Sequence, residues 1–173
     1  MVFDTVASAF DLSADDRKGL AACIALCELA GIVPGVLTCD EISDWYTTLE
    51  RPASTPPGWA FAPVWTFLYV TMGVALYLVF RDNARSVRGR QALWAFVGQL
   101  FLNASWTLVF FGRRSIFGGL AVVTGLWLSV LTTLVAFARV NRRAALLFVP
   151  YFLWVSFAAL LNARLWRLNR SDD

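Results

Sequence analysis

The chain contains no histidine, and this absence removes a whole class of chemistry. Imidazole is the side chain that titrates near neutral pH and a very common metal ligand, so histidine-based acid–base catalysis and metal ligation are excluded. Cysteine is scarce as well, and Cys23 and Cys27 lie one helical turn apart, which is not a zinc or iron–sulfur spacing. We interpret them as packing residues and expect no metal site. The chain also lacks the motifs of conventional hydrolases, kinases and dehydrogenases.

Charge is the second scarce property. Charged residues make up 16% of the 173 positions, whereas a soluble domain has about a quarter. Apolar residues reach 58% and the mean hydropathy is +0.61, more than one water-soluble core can bury. The sequence therefore predicts an integral, multi-pass membrane protein. The net charge of +3 comes from the ends of the apolar stretches, so we expect no nucleic-acid partner.

Five apolar stretches have the length of about 20 residues that a membrane-spanning helix needs. They cover about Leu20–Leu37, Trp59–Phe80, Ala92–Phe111, Ile116–Ala138 and Ala144–Trp166. Because most connections are short, the predicted fold is all-α, with five transmembrane helices in a single antiparallel bundle. This membrane domain would occupy residues 18–168, after an N-terminal lead-in (1–17) and before a polar tail (169–173). The lead-in lacks the features of a signal peptide.

Basic residues give a preference for one orientation. The side of the membrane with the N-terminus carries nine Lys and Arg residues and the other side six. By the positive-inside rule, this difference favours a cytoplasmic N-terminus, although only weakly. Which membrane contains the protein does not follow from the sequence.

One connection, residues 38–58, is long and ends in the run Arg51-Pro52-Ala53-Ser54-Thr55-Pro56-Pro57-Gly58. Prolines restrict the backbone, so this loop is predicted to be stiff. Long ordered loops often carry function, and the alternative is a plain spacer.

Tryptophan is unusually frequent, with eight residues. Trp59, Trp94 and Trp166 lie at span ends and fit an interfacial aromatic belt. Four others lie well inside their spans: Trp65, Trp106, Trp127 and Trp154. Buried indoles present flat faces that suit a planar ligand, and the alternative for each is simple packing.

Polar residues inside the spans are few. Glu28 is the one carboxylate within a span, either functional or neutralised by a neighbour. Gln99 and Asn103 lie on one helical face and could bind a ligand or bridge helices. Pro150 and Tyr151 open a turn inside the fifth span, where a kink could widen a cavity.

Several of these residues belong to one ordered pattern. It comprises Trp45-Tyr46-x-x-Leu49-x-x-Pro52, Thr55-Pro56-Pro57-Gly58, Pro63-Val64-Trp65-x-x-Leu68-Tyr69-x-x-Met72-Gly73, Gly98-Gln99-Leu100-x-Leu102-Asn103-x-x-Trp106, Phe110-Phe111-Gly112, Pro150-Tyr151-x-x-Trp154, Leu161-Asn162 and Trp166-Arg167. From Trp45 to Arg167 it resembles the translocator protein family, also called tryptophan-rich sensory proteins (TspO/MBR).

The resemblance implies a five-helix membrane protein, commonly a homodimer, that binds porphyrins, sterols and aromatic drug-like ligands inside the bundle. The residues that match the family's ligand-binding positions are Trp45, Tyr46, Pro57, Phe61, Trp65, Asn103, Trp106, Trp154 and Ala158. Loop 38–58 would act as a lid. In bacterial relatives, the tryptophans that match Trp65 and Trp154 are linked to light-dependent breakdown of protoporphyrin, which makes these two residues the catalytic candidates.

Two positions depart from the family pattern. Ser54 stands where the family often has a tryptophan, so the lid is expected to cover a ligand less fully. Ala163 replaces the tyrosine of the animal cholesterol-recognition pattern, which weakens a sterol assignment.

We therefore expect a tetrapyrrole such as protoporphyrin as the ligand, without a covalently bound cofactor, and a role in sensing, sequestration or transport. Without histidine, a metal-free tetrapyrrole is favoured over iron-ligated haem, although Tyr69 and Met72 keep the iron-ligated option open. Arg51 is available to pair with propionate groups. The alternatives are a light-dependent protoporphyrin-degrading enzyme, a sterol or lipid transporter, and a structural membrane protein without a ligand.

Overall fold

The computed structural model describes residues 13–170, apart from the side chain of Ser43. These residues form an all-α structure without strands, in which five helices are long and apolar enough to cross a membrane. The helices are α1 (Ala14–Leu37), α2 (Cys39–Ser43), α3 (Trp45–Thr48), α4 (Gly58–Asn83), α5 (Val87–Thr107, continued by a π-helical turn, Leu108–Gly112), α6 (Ile116–Ala138) and α7 (Arg142–Asn169). The predicted fold class of five packed transmembrane helices is confirmed.

Helix α1 begins six residues before the first predicted span, inside the segment expected to be a lead-in. A capping box sets this start: the Ser13 hydroxyl accepts a hydrogen bond from the Asp16 backbone N–H, and the Asp16 carboxylate accepts one from the Ser13 N–H. A count of apolar residues finds the part of a helix that contacts lipid and misses a polar first turn. The rest of the predicted lead-in, residues 1–12, lies outside the described residues, as do residues 171–173 of the polar tail.

Two other membrane helices have similar polar extensions at their N-termini. Helices α5 and α7 begin before their predicted spans, because the side chains of Ser86 and Asn141 accept hydrogen bonds from backbone N–H groups in the first turn. The observed α6 has the same ends as its predicted span, and its N-terminus is capped in the same way by Ser115.

Residues 38–58 are more ordered than a plain connection. They contain the short helices α2 and α3, followed by the extended proline-rich segment that leads into α4. The Asn169 side chain fixes the loop to the end of α7, because it accepts a hydrogen bond from the Glu50 N–H (3.0 Å) and donates one to the Glu50 carbonyl (2.9 Å). The loop therefore covers one end of the bundle.

The long helices pack α6 against α5 and α7, and α4 against α1 and α7. Helices α1 and α4 approach so closely that a Cβ atom on Gly73 would lie 2.5 Å from the Cα atom of Ile24. At the end of the bundle remote from the loop, Phe96, Phe137 and Phe148 are fully buried and their rings contact one another. This end forms a solid core.

Candidate ligand cavity

The half of the bundle nearer the loop contains a cavity of about 600 Å³. Its lining residues come from α1, α4, α5 with its π-helical turn, α7, and the loop above them. Pockets of roughly 300–1,000 Å³ with mainly apolar walls are typical of small-molecule sites. The cavity is therefore the candidate functional site.

The cavity brings together seven of the nine residues predicted to bind a ligand. These are Tyr46, Phe61, Trp65, Asn103, Trp106, Trp154 and Ala158. The remaining two lie behind the wall or at its edge. Trp45 packs the edge of its ring against Phe110, which lines the cavity, at a centroid distance of 5.5 Å, and Pro57 is the exposed residue that precedes α4.

The two catalytic candidates are in direct contact. The rings of Trp65 and Trp154 meet edge to face, with centroids 6.4 Å apart, and Phe61 packs against Trp154 at 6.2 Å. Trp65 also stacks on Tyr69 at 5.4 Å. These contacts hold the indoles in fixed orientations along one wall, which a planar ligand requires.

Trp106 of α5 also lines the cavity. Its indole stacks on Phe110 with centroids 5.2 Å apart, and its N–H group is buried without a hydrogen-bond partner among the described residues. A buried polar group without a partner is uncommon in proteins, and this one belongs to a residue of the cavity lining.

A chain of hydrogen bonds closes the floor of the cavity. The Tyr69 hydroxyl donates to Asn103 Oδ1 (2.7 Å), and Asn103 Nδ2 donates to the Tyr151 hydroxyl (3.0 Å). The ring of Tyr69 lies against Gly31 of α1, where a Cβ atom would lie 2.2 Å from the Tyr69 Cε2 atom. Asn103 therefore bridges α4 and α7 and lines the cavity as well.

Two polar side chains near this floor lack such partners. Glu28 lines the cavity, and its Oε1 atom is buried without a hydrogen-bond partner in the described part of the chain. Gln99 lies four residues before Asn103 on the buried face of α5. Its amide oxygen and nitrogen are also buried without a hydrogen-bond partner in the described part of the chain.

The loop end of the cavity carries a positive charge. The Arg51 guanidinium lies over the Tyr46 ring, 5.8 Å from its centroid, and Arg51 forms no salt bridge with a carboxylate between residues 13 and 170. Burial raises the pKa of Tyr46, and nearby Arg51 partly opposes this shift, so the phenol stays neutral at physiological pH. Ser54 accepts a hydrogen bond from Arg164 of α7 at 3.2 Å.

The other tryptophans lie outside the cavity. Trp59, at the start of α4, is 78% exposed, and Trp94, two turns inside α5, is 74% exposed, so both rings lie on the outer surface where an interfacial belt would place them. Trp166 packs against Phe117 on the outer surface near the loop end. Trp127 donates its indole N–H to the Ser156 hydroxyl (2.8 Å) and joins α6 to α7.

Sequence reasoning missed several cavity residues. The α7 wall continues past Ala158 to Leu161, Asn162 and Leu165, one helical face whose spacing was a usable signal. Gly31 and Gly35 of α1 also line the cavity, and a glycine gives no hydrophobic signal. Helix α1 precedes the motifs that carried the resemblance.

The two alternative iron ligands are poorly placed. Met72 is fully buried in the core and is not part of the cavity lining, and the Tyr69 hydroxyl already donates to Asn103. Within residues 13–170, no group of three or more His, Cys, Asp or Glu side chains could hold a metal ion.

Comparison with known proteins finds one family. The sequence model of the TspO/MBR family matches residues 23–167. The tryptophan-rich protein TspO of Chlorobaculum tepidum is 42% identical over 150 residues, which cover 87% of this chain and 95% of that protein. Protein CrtK of Rhodobacter capsulatus is 41% identical, covering 74% of this chain and 80% of that protein. The human translocator protein is 38% identical, covering 72% and 75%.

Proposed function

Because the chain belongs to the TspO/MBR family of membrane proteins, we propose that its cavity binds a flat tetrapyrrole such as protoporphyrin. The bound molecule would be sensed, sequestered or transported. Relatives whose names contain "sensory protein" and "translocator protein" support a role of this kind. A homodimer remains part of the proposal, as the resemblance implies.

The observation that carries the proposal is the convergence of three indoles on one cavity. Trp65 and Trp154 form one rigid wall, and Trp106 faces the same space from α5. Flat aromatic walls bind a planar macrocycle through offset and edge-to-face contacts, each of which contributes about 0.5–1.5 kcal/mol.

The charge at the loop end supports the same ligand. Arg51 borders the cavity and is free to pair with a propionate group, since guanidinium groups form strong, charge-assisted hydrogen bonds with carboxylates. A tetrapyrrole would lie with its propionates towards the loop and its apolar edge towards the membrane interior.

Three residues of the cavity lining are exposed: Ile32 of α1 and Ala62 and Thr66 of α4. We propose that the ligand enters between these two helices, by partition of an amphipathic molecule from the bilayer directly into the aromatic pocket.

The test is a titration of the detergent-solubilised protein with protoporphyrin, haem and cholesterol in parallel. Binding of the two tetrapyrroles is measured by their absorbance, and binding of cholesterol by its competition with protoporphyrin. We expect protoporphyrin to bind and cholesterol to compete little. Trp65→Ala and Trp154→Ala should each weaken protoporphyrin binding about 2- to 12-fold, which corresponds to the loss of one aromatic contact. Trp59→Ala, at an exposed residue of the same helix as Trp65, is the matched control. Equal affinities for all four proteins would overturn the proposal.

The contact between Trp65 and Trp154 favours a second function, light-dependent breakdown of protoporphyrin. An excited porphyrin can take one electron from an adjacent indole, which leaves an indole radical cation and a porphyrin radical anion, with dioxygen as the terminal oxidant. Illumination should then accelerate loss of the Soret band in an oxygen-dependent reaction that Trp65→Phe and Trp154→Phe abolish. Identical spectra in light and darkness, with intact binding, would leave binding alone as the function.

A further inference from the structure

The floor of the cavity carries a carboxyl group with one buried oxygen that residues 13–170 leave without a hydrogen-bond partner. Glu28 lines the cavity on α1, in the turn before Gly31, where α1 meets Tyr69. Its Oε1 atom is shielded from solvent and has no hydrogen-bond partner in the described part of the chain. A buried polar atom without a partner costs about 1–3 kcal/mol, so its retention at a cavity wall points to an external partner.

The other polar groups of the cavity floor do not fill this role, and Gln99, whose amide atoms also lack partners among the described residues, is not part of the cavity lining. The Tyr69 hydroxyl donates its hydrogen to Asn103, and the Asn103 amide donates to Tyr151. The floor therefore presents an unpaired acceptor, Glu28, beside a hydrogen-bond chain that is already satisfied. A ligand group that fits here donates hydrogen bonds or carries a positive charge.

The opposite end of the cavity has the opposite charge. Arg51 lies in the loop, beyond the C-terminal end of α1, and Glu28 lies nine residues before that end. At 1.5 Å per residue, Glu28 is about 14 Å deeper than the end of the helix. The cavity is thus an apolar, aromatic slot with a cation at the loop and a carboxyl group at the floor.

From this arrangement we propose that Glu28 forms a second recognition subsite, which binds a protonated amine or N–H group of a flat aromatic ligand. The preferred ligands of the cavity then carry a basic nitrogen at the end that reaches the floor and an acidic or polar group at the end near Arg51. Protoporphyrin satisfies the loop end and leaves Glu28 unpaired. The inference rests on the proposed function in that it uses the same aromatic slot, and it names the ligand chemistry that the slot selects.

Three probes with one ring system test this polarity: 1-pyrenemethylamine, 1-methylpyrene and 1-pyrenecarboxylate. Each is titrated against the full-length protein in a non-ionic detergent, with probe fluorescence as the readout. The variants are Glu28→Gln, which keeps the shape of the side chain, and Arg51→Gln. The control is Glu50→Gln, an exposed carboxylate of the loop. Protoporphyrin is titrated against the same four proteins.

We expect the wild-type protein to bind the amine at least about tenfold more tightly than the methyl compound, since hydrogen bonds to charged groups contribute about 1.5–3 kcal/mol. Glu28→Gln should remove this preference, and Glu50→Gln should retain it. Arg51→Gln should weaken binding of the carboxylate and leave binding of the amine unchanged.

Equal wild-type affinities for the amine and the methyl compound, or an amine preference that survives in Glu28→Gln, would overturn the subsite. The wild-type comparison alone decides the question if Glu28→Gln fails to fold. Failure of protoporphyrin to bind the wild-type protein, with an intact and Glu28-dependent amine preference, would instead overturn the tetrapyrrole proposal and leave this subsite standing.

Discussion

The two halves of the bundle both contain many aromatic rings, but they use them differently. Away from the loop, Phe96, Phe137 and Phe148 fill the space between α5, α6 and α7 completely. Near the loop, Trp65 and Trp154 contact each other and still border about 600 Å³ of open space. Aromatic content alone therefore does not create a pocket.

The difference comes from the residues that face the rings. In the loop half, α1 contributes Gly35, which has no atom within 4 Å of its Cβ position, and α7 contributes Ala158. Gly31 leaves no such space, because the Tyr69 ring lies against it. In the other half, large side chains face large side chains, and the core closes. The cavity is thus produced as much by missing side chains as by tryptophans.

The largest effect is expected in the closed half. Phe96→Ala removes a fully buried ring that contacts both Phe137 and Phe148 and should lower the free energy of unfolding by about 3 kcal/mol or more, because the cavity left behind loses its packing contacts. Denaturation in mixed detergent micelles measures this. The matched control is Phe101→Ala on the same helix, whose ring is 71% exposed and should cost little. Equal losses for the two variants would show that this half is not a packed core.

Much of the fold could be predicted from the sequence, because an apolar run of about 20 residues has few alternatives to a membrane helix. The helix ends could not, since polar caps such as Ser13 and Asn141 extend the helices beyond the lipid-facing residues. Helices α2 and α3 also escaped prediction. Segments this short carry little periodic signal.

The candidate site was predictable where side chains carry the signal. The aromatic and polar residues of α4, α5 and α7 were identified, and Glu28 was recognised as a functional candidate without an assigned partner. Position inside a span does not distinguish Trp127 from Trp154, and only the family resemblance singled out Trp154 as a ligand-binding residue. The fold shows that Trp127 donates a hydrogen bond to Ser156 between α6 and α7, while Trp154 lines the cavity.

A sharper test of the loop half uses two glycines of α1 that both line the cavity. Gly31→Ala places a methyl group 2.2 Å from Tyr69 Cε2 and must displace that ring, so we expect about 1–3 kcal/mol of destabilisation and about tenfold weaker protoporphyrin binding. Gly35→Ala meets no atom within 4 Å and should stabilise the helix by up to about 1 kcal/mol. Unfolding midpoints and binding titrations compare the two. If Gly31→Ala binds protoporphyrin as tightly as Gly35→Ala, Tyr69 does not shape the cavity.

The attachment of the loop provides a smaller effect. Asn169→Ala removes the side chain that pairs with both backbone groups of Glu50 and should destabilise the loop by about 1–2 kcal/mol, without melting the bundle. We expect faster proteolysis within residues 50–57 and faster dissociation of protoporphyrin in stopped-flow measurements. The neighbouring, exposed Arg170→Ala is the control. Unchanged proteolysis of Asn169→Ala would mean that the loop is held by other contacts.

The smallest effect is expected at Ser54, which stands where the family often has a tryptophan. Its hydroxyl bonds to Arg164 on the exposed surface, so Ser54→Ala should change stability by less than about 0.5 kcal/mol. Ser54→Trp places an indole next to Thr55 and Pro56, which line the cavity, and extends the aromatic wall of the loop half over a bound ligand. Protoporphyrin should then dissociate more slowly, by a factor of about two or more, because one aromatic contact is added. Equal dissociation rates for the alanine and tryptophan variants would show that this part of the loop does not cover the ligand. The contrast between the open half of the bundle near the loop and the closed half away from it would then depend on the helices alone.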